Sequence, residues 1–125
     1  GSPFVGVDVG GFFGNCTAEL YSAWIETSVI YPFMRAHSAL GTRIAHPWSF
    51  GEEVEEVART AIRLRYRLLP YLYASAMAQS EGEVPMLRPM FFDYPEDERL
   101  ALVEDQVMVG PHLMAAPFVG RGDQE

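Results

Sequence analysis

The residues best placed for chemistry stand at the ends of two short apolar runs. Pro3-Phe4-Val5-Gly6-Val7 ends in the carboxylate Asp8, and Tyr31-Pro32-Phe33-Met34 ends in Arg35, with His37 two residues on. In parallel α/β folds, side chains at C-terminal strand ends are the ones that meet ligands. At such a place Asp8 accepts hydrogen bonds from a ligand; alternatively it caps a turn or pairs with Arg35. His37 either bonds ligand hydroxyls through its imidazole or is a loop histidine with a local backbone partner. A spacing of two puts Arg35 and His37 on the same side of a strand. The planar Arg35 guanidinium then meets ligand or orients a carboxylate. Phe12 and Phe13 follow Gly10-Gly11 in the first loop. One is a candidate apolar wall for a ligand ring, and core packing is expected for at least one of them. Trp24 and Trp48 read as core and loop anchors.

Other patterns carry less. Gly6-Val7-Asp8-Val9-Gly10-Gly11 is not the dinucleotide fingerprint. Cys16, His37, His46 and His112 lack metal-ligand spacing, so neither metal nor cofactor is expected. Asn15-Cys16-Thr17 is a formal glycosylation acceptor, relevant only in a secretory pathway. Arg121-Gly122-Asp123 matches an adhesion tripeptide by chance. Ser75 and Ser80 have no nucleophile context. Glu52, Glu53, Glu55 and Glu56 read as a solvated helix start.

Composition narrows the partners. Seventeen acidic against nine basic residues give a net charge of −8, which repels phosphate backbones, so nucleic acid is not an expected partner. The nine basic residues are all Arg. No basic amphipathic helix and no apolar run near a membrane-spanning length, roughly 20 residues, is present, so no membrane association is expected. The start, Gly1-Ser2-Pro3, has no signal-peptide pattern. Hydrophobic residues make up 49% of the chain, which argues for a packed core. One cysteine allows no internal disulfide.

The elements that must hold these residues follow from periodicity. Residues 3–8, unbroken by alternation, predict a parallel strand buried on both faces, and the second short apolar run, 31–35, predicts the parallel strand beside it. Between them, Leu20, Ala23, Trp24 and Val29 predict a helix over 18–30, with Thr17 as N-cap and Glu19 in its first turn. Ser49-Phe50-Gly51-Glu52 predicts a capping box opening a long helix that Glu81-Gly82 closes. Pro70 should kink or divide that helix near Tyr66. Beyond Gly82 the pattern predicts an extended 84–95, a polar turn with a helical turn over 95–106, and two short strands over 107–119 about Gly110-Pro111. The order β-α-β-α and then β marks an incomplete α/β domain, because a closed βα barrel needs eight strands, about 250 residues.

Five segments in this order resemble glycoside hydrolase family 31. They are GVDVGGFFGN (6–15), YPFMRAH (31–37), FGEEVEEVARTAIRLRYRLLPYLY (50–73), MLRPMFFDYPED (86–97) and DQVMVGPHLMAAPF (105–118). The resemblance spans residues 3–119. It implies an α/β fold: the C-terminal portion of a (β/α)8 TIM barrel followed by the start of a β-sandwich domain. Residues 1–82 would be the last two βα units and residues 83–125 the start of the proximal C-terminal β domain.

The resemblance also implies retaining hydrolysis of α-linked glucosides by paired carboxylates. The family's nucleophile and acid/base lie in upstream segments that this chain lacks, so no catalytic residue is expected here. Asp8, Phe12, Arg35 and His37 resemble the family's substrate-binding residues of the −1 sugar site, and the implied partner is an α-glucoside oligosaccharide or glycoside. Ala36 and Ser38 stand where α-glucosidases often carry asparagines, and Gly10 where cysteine or another small residue is common. The exact sugar therefore stays open, with α-xylosidase, transglycosidase and α-glucan lyase as family alternatives. A catalytically inactive carbohydrate-binding homologue is another, and a free-standing 125-residue structural protein is a third reading.

Overall fold

Two strands of three residues, β1 (Gly6–Asp8) and β2 (Phe33–Arg35), lie parallel and in register, Gly6 opposite Phe33 and Asp8 opposite Arg35. The structure, a computed structural model, describes residues 4–117. Pro3 of the first predicted strand, Phe118 and Val119 of the last, and the Arg121-Gly122-Asp123 tripeptide lie outside the described residues. The elements run β1, α1 (Ala18–Ser28), β2, α2 (Glu52–Ser80), β3 (Leu87–Pro89), α3 (Met90–Asp93), a 3-10 turn (Glu98–Leu102), β4 (Val107–Val109) and β5 (Leu113–Ala115). The chain divides into two compact units, Phe4–Leu68 and the part from Leu69 onward.

In the first unit α1 is the crossover between the parallel strands. Thr17 caps it, its hydroxyl accepting the Leu20 N–H at 3.2 Å, and Glu19 lies in the first turn. The helix ends at Ser28, two residues short of the predicted end. Its last turn carries no basic residue. Arg65 of α2 supplies the missing donors: Nη1 reaches the carbonyls of Val29 at 2.9 Å and Tyr31 at 2.5 Å, and Nη2 reaches that of Pro32 at 3.0 Å. Burial pushes the Arg65 pKa down, yet a guanidinium keeps its charge at neutral pH. The core gathers Val9, Tyr21, Ile25, Val29, Val54, Ala58 and Ala61. Ala58 and Ala61 are small enough for α2 to approach closely, and Tyr21 stacks on Phe50 with centroids 4.9 Å apart.

Two expectations for this unit, and one for α2 where it runs on past Leu68, are corrected. The first strand is not buried on both faces: Gly6 is exposed and Val7 and Asp8 are half-buried. A sheet of two strands has too few neighbours to cover both faces. The capping box does not form. Ser49 turns its hydroxyl to the His46 N–H at 3.1 Å, and Gly51, at φ +97°, precedes the helix. Nor does Pro70 divide α2, which runs 29 residues with Pro70 inside. A helix-interior proline costs about 3 kcal/mol. Ala58 and Ala61 before it and Leu72 and Ser75 after it are buried.

In the second unit β3, β4 and β5 form an antiparallel sheet in that order, Arg88 opposite Met108 and Met108 opposite Met114. Residues 84–95 are not extended throughout, because α3 follows β3 directly. Arg88 explains the tight turn. Its Nε and Nη2 each donate to the Asp93 carboxylate at 2.6 Å, and its Nη1 reaches the carbonyls of Pro85 at 3.2 Å and Gly110 at 3.0 Å. Gly110 turns β4 into β5 at φ +58°, where a Cβ would meet Tyr71 Oη at 2.6 Å. Tyr71 needs that space: its hydroxyl donates to the Val109 carbonyl at 2.8 Å and accepts the His112 N–H at 2.9 Å.

Candidate functional site

Because β1 and β2 are parallel, their last residues lie at one edge of the sheet. Asp8 and Arg35 are those residues and are register partners. The Val9 N–H continues the ladder to the Arg35 carbonyl at 2.8 Å. The Gly11 N–H then returns to the Asp8 carbonyl at 2.8 Å, a reversal that Gly10 and Gly11 allow at φ +91° and +87°. Arg35 Nε donates to Asp8 Oδ1 at 2.7 Å. With Arg35 about half exposed, such a pair adds at most about 1 kcal/mol of stability. Its consequence is orientation: one carboxylate oxygen is fixed by Arg35, while Oδ2 has no hydrogen-bonding partner among the described residues.

The loops beyond the two strands also meet. The Ala39 N–H donates to the Phe12 carbonyl at 2.8 Å, and the Phe12 and His37 rings lie 5.1 Å apart, tilted by 32°. Asp8 with Arg35, and Phe12 with His37, are therefore two contacting pairs carried by the same two parallel strands and their C-terminal loops. The expectation that Phe12 or Phe13 packs in the core is corrected: Phe12 is half-buried and Phe13 is 82% exposed, its ring edge-on to Phe12 at 4.6 Å. Trp24 packs against the core, as an anchor should. Trp48 does not; it is 67% exposed and beside the His46 ring at 5.0 Å.

Among the described residues the remaining chemistry-bearing groups form no second centre. Burial pushes the Cys16 thiol up against the opposing pull of the Arg43 charge, which disfavours the nucleophilic thiolate. Among the described residues no three His, Cys, Asp or Glu side chains gather around a metal-sized space, and no helix is long and apolar enough to cross a membrane. A groove of about 490 Å³ between α1 and α2 is lined by Glu26, Glu53, Val57, Thr60 and Leu64, and none of the four site residues borders it.

Comparison with known proteins bears on what this edge of the sheet serves. The model of the glycosyl hydrolases family 31 TIM-barrel domain matches residues 1–75, and that of the family's C-terminal domain matches residues 83–125. The chain belongs to glycosyl hydrolase family 31. Alpha-glucosidase 2 of Bacillus thermoamyloliquefaciens is 40% identical over 119 residues, covering 95% of this chain and 15% of the relative. Neutral alpha-glucosidase C of Mus musculus is 43% identical over 117 residues, covering 94% of this chain and 13% of the relative. A family 31 dextranase of Flavobacterium johnsoniae, complexed with glucose, superposes with a TM-score of 0.88 at 36% identity, over 96% of this chain and 15% of that one. The family 31 fold is thus a TIM-barrel domain followed by a C-terminal domain, and this chain spans about 15% of the length of the first of these relatives.

Proposed function

We propose that this chain is the segment of a retaining α-glucosidase-type hydrolase that supplies substrate-binding residues to its −1 sugar site. The two pairs Asp8–Arg35 and Phe12–His37, carried by the C-terminal ends of two parallel strands and the loops that follow them, support this reading most. In barrel enzymes that edge carries the active site. Residues 1–82 would form the last two βα units of the barrel, and residues 83–125 the start of the proximal C-terminal β domain. The end of α2 at Ser80 and the family matches to 1–75 and 83–125 support a boundary there.

The chemistry divides between this segment and the rest of the enzyme. Two carboxylates about 5–5.5 Å apart perform retaining hydrolysis, one as nucleophile and one as acid/base. Both lie outside this chain. Here Asp8 accepts a hydroxyl hydrogen bond from the glucosyl ring through Oδ2, with Oδ1 held by Arg35. His37 bonds a neighbouring hydroxyl, and Phe12 presents an apolar face to the ring. A sugar needs donors and acceptors converging on one small volume, and contacts that strengthen as the ring distorts lower the barrier. The substrate is an α-linked glucoside, in keeping with the α-glucosidases among the relatives.

A direct assay tests the division of labour. The longer protein should turn over an aryl α-glucoside, and the 125-residue chain alone should release nothing above a blank. Turnover by the short chain would contradict the placement of both catalytic carboxylates outside it. Turnover by neither protein would favour an inactive carbohydrate-binding homologue.

A further inference from the structure

The loops that carry Phe12 and His37 are joined through a side chain outside the four site residues. Asn15 Oδ1 accepts the Arg43 N–H at 2.8 Å. A second bond, from the Ala39 N–H to the Phe12 carbonyl at 2.8 Å, lies nearer in sequence to the two rings. Between the two bonds the loop after β2 reverses. The Thr42 N–H and hydroxyl both donate to the Ala39 carbonyl, at 3.2 and 2.7 Å, and Gly41 takes φ +86°. Both ends of the Asn15–Arg43 bond rest on the core. Asn15 directly precedes buried Cys16 and the α1 cap Thr17. Arg43 Nη2 donates to the Ser49 carbonyl at 3.0 Å, and its guanidinium lies 4.4 Å from the centroid of Phe50, which stacks on buried Tyr21. All these contacts are made within Phe4–Leu68, so they do not depend on which faces of the segment the longer protein covers.

From this we infer that Asn15 is a positioning residue for the −1 site: it fixes the Arg43 backbone and thereby the loop that presents His37, an inference that rests on the α-glucosidase reading above. His37 follows a strand of only three residues, and its ring packs on Phe12. A side chain that must bond a sugar hydroxyl has to be held within about 0.5 Å of its productive place. One hydrogen bond, at Ala39, constrains the loop at a point. A second, at Arg43, fixes its orientation as well. The order exists before the sugar arrives, so less binding energy goes into arranging the loop. Asn15 acts through His37 and makes no contact with the glucosyl ring. The side-chain oxygen is the part that matters: an apolar residue removes the acceptor, and aspartate keeps it.

A double-mutant cycle separates this role from a purely structural one. The longer protein is assayed on an aryl α-glucoside, well below the melting midpoint of each variant. Asn15→Leu should lower kcat/KM roughly tenfold, the scale of a small misplacement in a binding group. Asn15→Asp should recover most of that loss. In a His37→Ala background, adding Asn15→Leu should change the remaining kcat/KM by less than about twofold, because residues that act through one another are not additive. Wild-type kcat/KM in Asn15→Leu would overturn the inference. An undiminished loss in the His37→Ala background would also overturn it, because Asn15 would then act elsewhere. Equal losses in Asn15→Leu and Asn15→Asp would overturn it too, since the acceptor would not be what counts. If His37→Ala alone keeps wild-type kcat/KM, the −1 site reading falls and takes the inference with it, whereas the other three outcomes leave that reading standing.

Discussion

Replacing His37 by Ala in the longer protein is expected to lower kcat/KM for α-glucosides roughly 100-fold. In the proposed −1 site this side chain bonds a hydroxyl of the ring, and a polar contact that strengthens in the transition state acts on the barrier itself. The fold should be indifferent. His37 is exposed and its ring neighbour is Phe12, so stability should change by no more than about 0.5 kcal/mol. Steady-state kinetics together with a thermal melt separate these outcomes. A wild-type kcat/KM in His37→Ala would remove the role assigned to the residue, and a large fall in the melting temperature would make it structural.

Arg88→Met should produce the largest loss of stability, about 3–5 kcal/mol for breaking a buried pair by removing one partner. Arg88 is 5% exposed, and the substitution leaves the Asp93 carboxylate without its two charged donors and the Gly110 carbonyl without Nη1. The double variant Arg88→Met, Asp93→Leu should recover part of that loss, because the uncompensated charge is gone. Denaturant unfolding of the longer protein measures both, read on the transition that reports this region. Equal stability of the wild type and Arg88→Met would show that the network contributes little to the fold.

The residues explain which parts of this structure can be read from sequence. Both parallel strands, the crossover helix and the cap at Thr17 follow from local signals: unbroken apolar runs, helical spacing and a hydroxyl before an acidic first turn. The β4–β5 turn follows from Gly110. What failed depends on long-range partners. Ser49 has the type and spacing of a cap, but His46 takes its hydroxyl. Pro70 is a helix breaker by local rules, yet α2 runs through it undivided. The short α3 appears where an extended run is expected because Arg88 grips Asp93 five residues on, a pairing no periodicity reveals. At the candidate site, strand-end position identified Asp8 and His37 as residues to watch. Pairing with Arg35 is one of the readings that sequence leaves open for Asp8, and it takes only Oδ1, with no hydrogen bond to Oδ2 among the described residues, so pairing and ligand binding are compatible.

The central claim is that Asp8 and His37 hold the same glucosyl ring. A crystal structure of the longer protein, with its catalytic nucleophile replaced and an α-glucoside bound, tests it most directly. The account predicts hydroxyl oxygens of one ring within hydrogen-bonding reach, about 2.7–3.2 Å, of both Asp8 Oδ2 and a His37 ring nitrogen. A ring bound at the catalytic carboxylates but beyond roughly 3.6 Å of both residues would contradict it.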